Sequence, residues 1–135
     1  MRSLMLTLAL GVAACAETPR QTAARVSAED RTRVKLDREL AGLLPGAPQS
    51  CLQTYERREM KAFGDTLVFG GNGRTRWVTQ TTGCRDVGGN NILVTRTPTG
   101  QFCRGDIATT VDRTSGIQTG GCSYGDFIPY RRPAR

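Results

Sequence analysis

The residues best placed to do chemistry are cysteines, and Cys15 comes first among them. It ends the run Val12-Ala13-Ala14-Cys15, in which one branched apolar and two small residues precede the thiol. This is the pattern of a bacterial lipobox, whose cysteine receives a diacylglyceryl group and becomes the first residue of the mature chain. The competing reading is ordinary signal cleavage at Ala14-Cys15-Ala16, an Ala-x-Ala site that would leave Glu17 first. Lipidation at Cys15 is the expectation, because a leader this short and a cysteine at this place suit it. Diacylglycerol and an amide-linked acyl chain (palmitate is typical) together give stable membrane attachment. Ala16 stands where an inner-membrane retention signal often has Asp, which favours the periplasmic face of the outer membrane.

Setting Cys15 aside leaves four of the five cysteines, Cys51, Cys84, Cys103 and Cys122. In an exported chain of this size they read as two disulfides, with three connectivities open. A metal site is not expected: no pair has Cys-x-x-Cys spacing, and the chain contains 0 histidines. The missing histidine also removes Ser-His-Asp and Cys-His nucleophilic schemes and the side chain best suited to proton transfer near neutral pH. Carboxylate or tyrosine chemistry would have to use Asp65, Asp86, Asp106, Asp126 or Tyr124. Three of those aspartates follow glycine, as Gly64-Asp65, Gly105-Asp106 and Gly125-Asp126, which is turn chemistry more often than catalysis. The chain is therefore expected not to be an enzyme and to carry no cofactor.

The formal charge of +7 raises the question of an anionic partner. Nearly all of it is arginine, with Lys35 and Lys61 as the lysines, a bias that resembles GC-rich coding more than a selected surface. Arg57, Arg58, Arg74 and Arg76 are the candidate anion contacts, and a nucleic-acid partner is not expected. Arg104-Gly105-Asp106 spells an adhesion tripeptide and reads as chance. Gly70-Gly71-Asn72-Gly73 lacks the Lys-Ser/Thr of a phosphate loop and reads as a hairpin turn.

The elements that must position these residues follow from patterning. Residues 1–14 form a signal peptide: Arg2 gives a positive start, and the apolar stretch 4–10 is far shorter than the roughly 20 residues a spanning helix needs. Residues 15–26 read as a flexible tether. A helix is expected over 27–44, capped by Ser27 with Asp30 behind it, its apolar stripe formed by Leu36, Leu40, Leu43 and Leu44. Pro45 and Gly46 end it, and 45–50 is a linker. From Cys51 to 130 the texture becomes short β-prone runs between turn residues, the mark of a mainly β domain. It reads as a small antiparallel barrel or sandwich of about five to six strands. Strands are expected over 52–60, 66–70, 74–80, 92–96, 106–112 and 127–130, with 131–135 a basic tail. Gly64-Asp65 and Gly71-Asn72-Gly73 are hairpin turns. Alternation puts Phe69, Trp77, Ile92, Val94, Ile107 and Val111 in the core. If residues 106–112 and 116–121 form a hairpin, Cys103 and Cys122 meet at its open end, leaving Cys51–Cys84 as the second bridge. That second bridge requires the sheet to curl or the 81–84 segment to fold back.

The run Leu36-Asp37-Arg38-Glu39-Leu40-Ala41-Gly42-Leu43, then Pro45-Gly46-Ala47-Pro48-Gln49-Ser50-Cys51-Leu52, leads into a β-region. That region closes on Phe102-Cys103-Arg104-Gly105-Asp106-Ile107 and Gly121-Cys122-Ser123-Tyr124-Gly125-Asp126-Phe127-Ile128-Pro129-Tyr130. Over roughly residues 36–130 the chain resembles a family of small exported proteins and lipoproteins of α-proteobacteria of sphingomonad and caulobacter type. The resemblance implies location and architecture and carries no catalytic residue with it.

Three functions are consistent with these readings. The leading one is a non-enzymatic envelope lipoprotein that binds or scaffolds an envelope protein or polymer and meets the membrane through its lipid. An inhibitor of wall-degrading or proteolytic enzymes would present a loop, at 81–91 or 97–101. A carboxylate enzyme would bring two acidic side chains together in a cleft.

Overall fold

The computed structural model describes residues 17–70, 74–84 and 87–134. The expected signal peptide, Cys15, Asp86 and the Gly71-Asn72-Gly73 turn lie outside the described residues. The chain divides into two compact units, one up to Arg31 and one from Thr32 onward.

The described part of the first unit is mostly helix. Helix α1 spans Pro19–Glu39, so it begins well before Ser27 and its residues from Thr32 onward belong to the second unit. Its start is set by a reciprocal cap: Thr18 Oγ1 accepts the Gln21 N–H at 3.3 Å, and Gln21 Oε1 accepts the Thr18 N–H at 2.8 Å. Pro19 takes the first helical position, where a missing N–H is harmless. Residues 19–26 are thus helix and not tether. Arg25 lies 3.1 Å from Glu29 and 3.6 Å from Glu17, both exposed pairs. The helix also stops earlier than expected, because Gly42 (φ 75°) turns the chain out of it.

The second unit is mainly β and antiparallel, as expected. Its strands are β1 (Leu44–Pro45), β2 (Cys51–Gln53), β3 (Glu59–Phe63), β4 (Thr66–Gly70), β5 (Thr75–Thr82), β6 (Asn91–Thr95), β7 (Gln101–Cys103), β8 (Ile107–Asp112) and β9 (Gln118–Arg131). A half-barrel sheet runs in the order β3-β4-β5-β9-β8-β6, with β1 also paired to β9. β2 and β7 form a separate two-stranded sheet. The single strand expected over 52–60 is broken by a 3-10 turn at Thr54–Glu56 into β2 and β3. Gly64-Asp65 is the two-residue hairpin turn expected, with Phe63 opposite Thr66 and Gly64 at φ 61°.

β9 is the longest strand and carries two register shifts, one against β8 between Thr110 and Val111 and one against β5. Thr79 pairs with Phe127 but Thr81 with Tyr124, so β9 carries an extra residue across that interval. The residue that permits this is Gly125. A β-carbon there would collide with the Gln80 carbonyl oxygen. The bulge shifts the alternation by one, so that Cys122 and Tyr124 face the core before it and Phe127 after it.

The core they enter is aromatic. Phe102 stacks on Tyr124 with centroids 5.4 Å apart, and Phe69 meets both rings edge-on at 6.4 Å. Phe69 and Trp77 are buried as expected, alongside Leu52, Leu67, Phe102 and Phe127.

The disulfides connect Cys51 to Cys103 and Cys84 to Cys122, which corrects both expected pairs. Cys103 belongs to β7, a strand too short to stand out in the sequence, and lies directly opposite Cys51 of β2 with Cα atoms 4.0 Å apart. Cys122 lies opposite Ala108 with its side chain in the core. Beside it, Thr82 pairs with Ser123 and brings Cys84 within reach as the chain leaves β5.

Replacing Gly125 with alanine is expected to destabilise the fold by about 1 to 3 kcal/mol, the usual cost of forcing atoms into filled space. Urea unfolding of the disulfide-intact protein would check this, and an unchanged midpoint would show that the bulge can shift to accept a side chain.

Candidate functional site

The two halves of the sheet's outer surface differ. On β3, β4 and β5 the outward residues Lys61, Val68 and Val78 lie side by side in register. Val68 and Val78 are nonetheless buried. Glu39, at the end of α1, reaches this face, 2.7 Å from Lys61 and 3.5 Å from Arg76.

On β8 and β6 no cover is present among the described residues. The Tyr124 hydroxyl hydrogen-bonds Thr95 Oγ1 at 2.6 Å, which fixes Thr95, and with it Leu93, on the core side of β6. Ala108 faces inward opposite Cys122. Alternation then turns Ile92 and Val94 of β6, and Ile107, Thr109 and Val111 of β8, to the outside. Ile92, Val94 and Ile107 are 38%, 36% and 65% exposed, and Val111 is half-buried. This corrects the expectation that these four residues fill the core. Period-two alternation was read correctly; the face was not, because Thr95, Ala108 and Thr110 look like the solvent side until Tyr124 and Cys122 are placed against them.

The outward residues form an ordered ladder. Ile92 stands opposite Val111 and Val94 opposite Thr109, and Arg96, just past the end of β6, lines the same groove as Ile107. On the next strand, Gly121 lies opposite Thr109. A groove of about 430 Å³ runs here, lined by Val94, Arg96, Ile107, Thr109, Val111, Gly116 and Gln118. Arg96 sits towards one end and Gly116 and Gln118 towards the other.

The Gly116 end is held by Asp112, whose Oδ1 accepts the backbone N–H groups of Thr114 at 3.0 Å and Ser115 at 2.7 Å. Ser115's N–H and then its hydroxyl pull the Asp112 carboxyl below its ordinary 3.8; desolvation opposes them, and Asn90 and Thr114 add lesser pulls downward. Burial pushes the Tyr124 hydroxyl above its ordinary 10.0, opposed by the hydrogen bond from Thr95 and the charge of Arg57.

The sequence-derived candidates are placed elsewhere. Arg57 lies over the Phe102 ring, 4.2 Å from its centroid. Arg58 donates its backbone N–H to Gly70, and Gly70 pairs with Arg76, so Arg58, Arg74 and Arg76 gather near one end of the sheet. Arg76 is already engaged by Glu39. Of the aspartates, Asp106 accepts the Cys103 N–H at 2.9 Å, the Asp65 carbonyl accepts from Thr81 and Asp126 pairs with Arg104. Among the described residues no group of three His, Cys, Asp or Glu side chains could hold a metal ion. Arg96 and Gln118 were missed in the sequence. The available signal was that Ile92, Leu93 and Val94 are all apolar, which implies contact on both faces of β6. No family model, curated protein or solved structure matches this chain.

Two outcomes test the face assignment. Ile107→Ser is expected to change stability by no more than about 0.5 kcal/mol, whereas Phe102→Ala is expected to cost about 3 to 5 kcal/mol. Thermal unfolding of both variants would check this, and a large loss for Ile107→Ser would return that residue to the core. The β8–β9 turn is also expected to weaken at acid pH. Because the folded Asp112 value lies below the ordinary one, its contribution is present above pH 3.8 and disappears as pH falls through the lowered value. Amide exchange at Thr114 and Ser115, followed against pH, would check the direction.

Proposed function

We propose that this chain is a non-enzymatic binding module of the cell envelope, held at a membrane by lipid on Cys15 and making contact through the outer face of β6 and β8. The observation that carries the reading is the ladder of Ile92, Val94, Ile107 and Val111, left without cover among the described residues, set against the buried Val68 and Val78 of the same sheet. A soluble surface rarely keeps such a contiguous apolar strip without something to meet it. The two disulfides suit an oxidising, extracytoplasmic compartment, and no helix among the described residues is long and apolar enough to cross a membrane. Lipid at Cys15 would tether the domain while leaving the face free to reach its target, and the outer membrane is the proposed location.

A photo-crosslinking amino acid placed at Ile107 in cells is expected to give a discrete adduct. The same group at Glu59, on the far edge strand, should not. Equal patterns at both positions would count against a dedicated contact face. In the same cells Cys15→Ser should abolish incorporation of a radiolabelled palmitate and release the protein from the membrane fraction. Retained label would refute the lipid anchor without touching the contact face.

A further inference from the structure

We infer that the groove on β6 and β8 takes a single-chain amphiphile with an anionic head, the aliphatic chain lying along the strands and the head at Arg96. The inference rests on the contact-face reading above and names its ligand class.

Three features select this class. The first is polarity along the groove. Arg96 makes no ion pair or hydrogen bond among the described residues, while Lys61, Arg76 and Arg104 all have carboxylate partners. It lies two residues beyond Val94, so the apolar side chains of Val94, Ile107 and Val111 share the groove with polar Thr109 and Gln118 and with the cation of Arg96. A ligand that is aliphatic along its length and negative at one end matches both parts.

The second feature is the floor. β8 is hydrogen-bonded to β6 on one side and β9 on the other, so its backbone groups are already paired. An extended peptide lying on it would find no main-chain partners and would gain only from side chains. An alkyl chain needs none. It would instead cover the apolar flanks of Val94, Ile107 and Val111, at about 25 cal/mol for each Å² removed from water.

The third feature is shape. The groove's volume of about 430 Å³ falls within the range of small-ligand sites. Ile107 to Val111 spans about 14 Å of strand, enough to hold one extended chain. A surface built to enter a bilayer would present its apolar groups as a protrusion, and here they wall a hollow.

The test uses the full chain in ¹H–¹⁵N spectra, titrated with dodecanoate below its micellar concentration. Saturable shifts are expected at the amides of Val94, Thr109, Val111 and Gly121. Arg96→Gln is expected to weaken dodecanoate binding about fivefold, the upper range for an exposed charge pair, and to leave dodecyl maltoside binding unchanged. Ile107→Asn should weaken both. Equal affinity for dodecanoate, dodecyl maltoside and dodecyltrimethylammonium would overturn the anionic assignment while leaving the face as a contact surface. Response only to anionic vesicles, with none to the monomeric amphiphiles, would overturn the groove ligand in favour of a bilayer surface. Silence of all four amides towards every probe would overturn the ligand class outright. The Ile107 crosslinking pattern would then decide the contact face separately.

Discussion

The alternation of β9 is the constraint on which the rest of this fold depends. One flank of the strand pairs with β5 from Ser123 to Arg131. The other flank takes β8 first, then exchanges two backbone hydrogen bonds between Gln49 and Phe127, then pairs with β1. Whatever direction a β9 side chain takes is therefore imposed on neighbours from across the second unit. Gly125 reverses that direction once, at the point where Gln80 approaches too closely for any β-carbon. Without the reversal, a strand of this length could not aim Cys122, Tyr124 and Phe127 at one core.

Two consequences follow for the surface. Tyr124 holds Thr95 inward and Cys122 faces inward opposite Ala108, so the apolar side chains between them turn outward. The same sheet buries Val68 and Val78, and Glu39 at the end of α1 bridges Lys61 and Arg76 on that face. One half of the outer face is therefore buried, and the other half lies bare among the described residues. A tryptophan, tyrosine or phenylalanine would have made the bare half a stronger hot spot for a protein partner. It carries β-branched aliphatics and one arginine instead.

Much of the architecture was readable from residue order. Antiparallel β-structure, the Gly64-Asp65 turn and the burial of Phe69 and Trp77 all follow from local patterns that tertiary contacts did not override. The helix start was also written in the sequence, in Thr18-Pro19-Arg20-Gln21, but Ser27 competed as a cap and stood nearer the leucine stripe. The inward face of β6 and β8 was not readable. Both faces of those strands carry apolar residues, and the choice between them is made by Tyr124 and Cys122, which lie beyond the end of β8 and meet these strands only once the sheet has formed. The disulfides were hidden for a related reason: β7 is three residues long, and its partner β2 lies far back in the chain. The groove inherits this blindness, since Arg96 and Gln118 become neighbours of one hollow only after the strands are in register.

The connectivity of the bridges bears on how the protein is made. Cys84 lies within the loop closed by Cys51 and Cys103, while its partner Cys122 lies beyond it. A chain entering an oxidising compartment from its N-terminus exposes Cys51 and Cys84 to each other before either native partner has arrived. Pairing in order of arrival would therefore yield the wrong bridge, and the Cys103–Cys122 bridge after it. Escape requires a thiolate to attack a disulfide already formed, through a mixed-disulfide intermediate. A chain whose thiols paired in order of arrival would thus need reshuffling as well as oxidation to reach the native bridges.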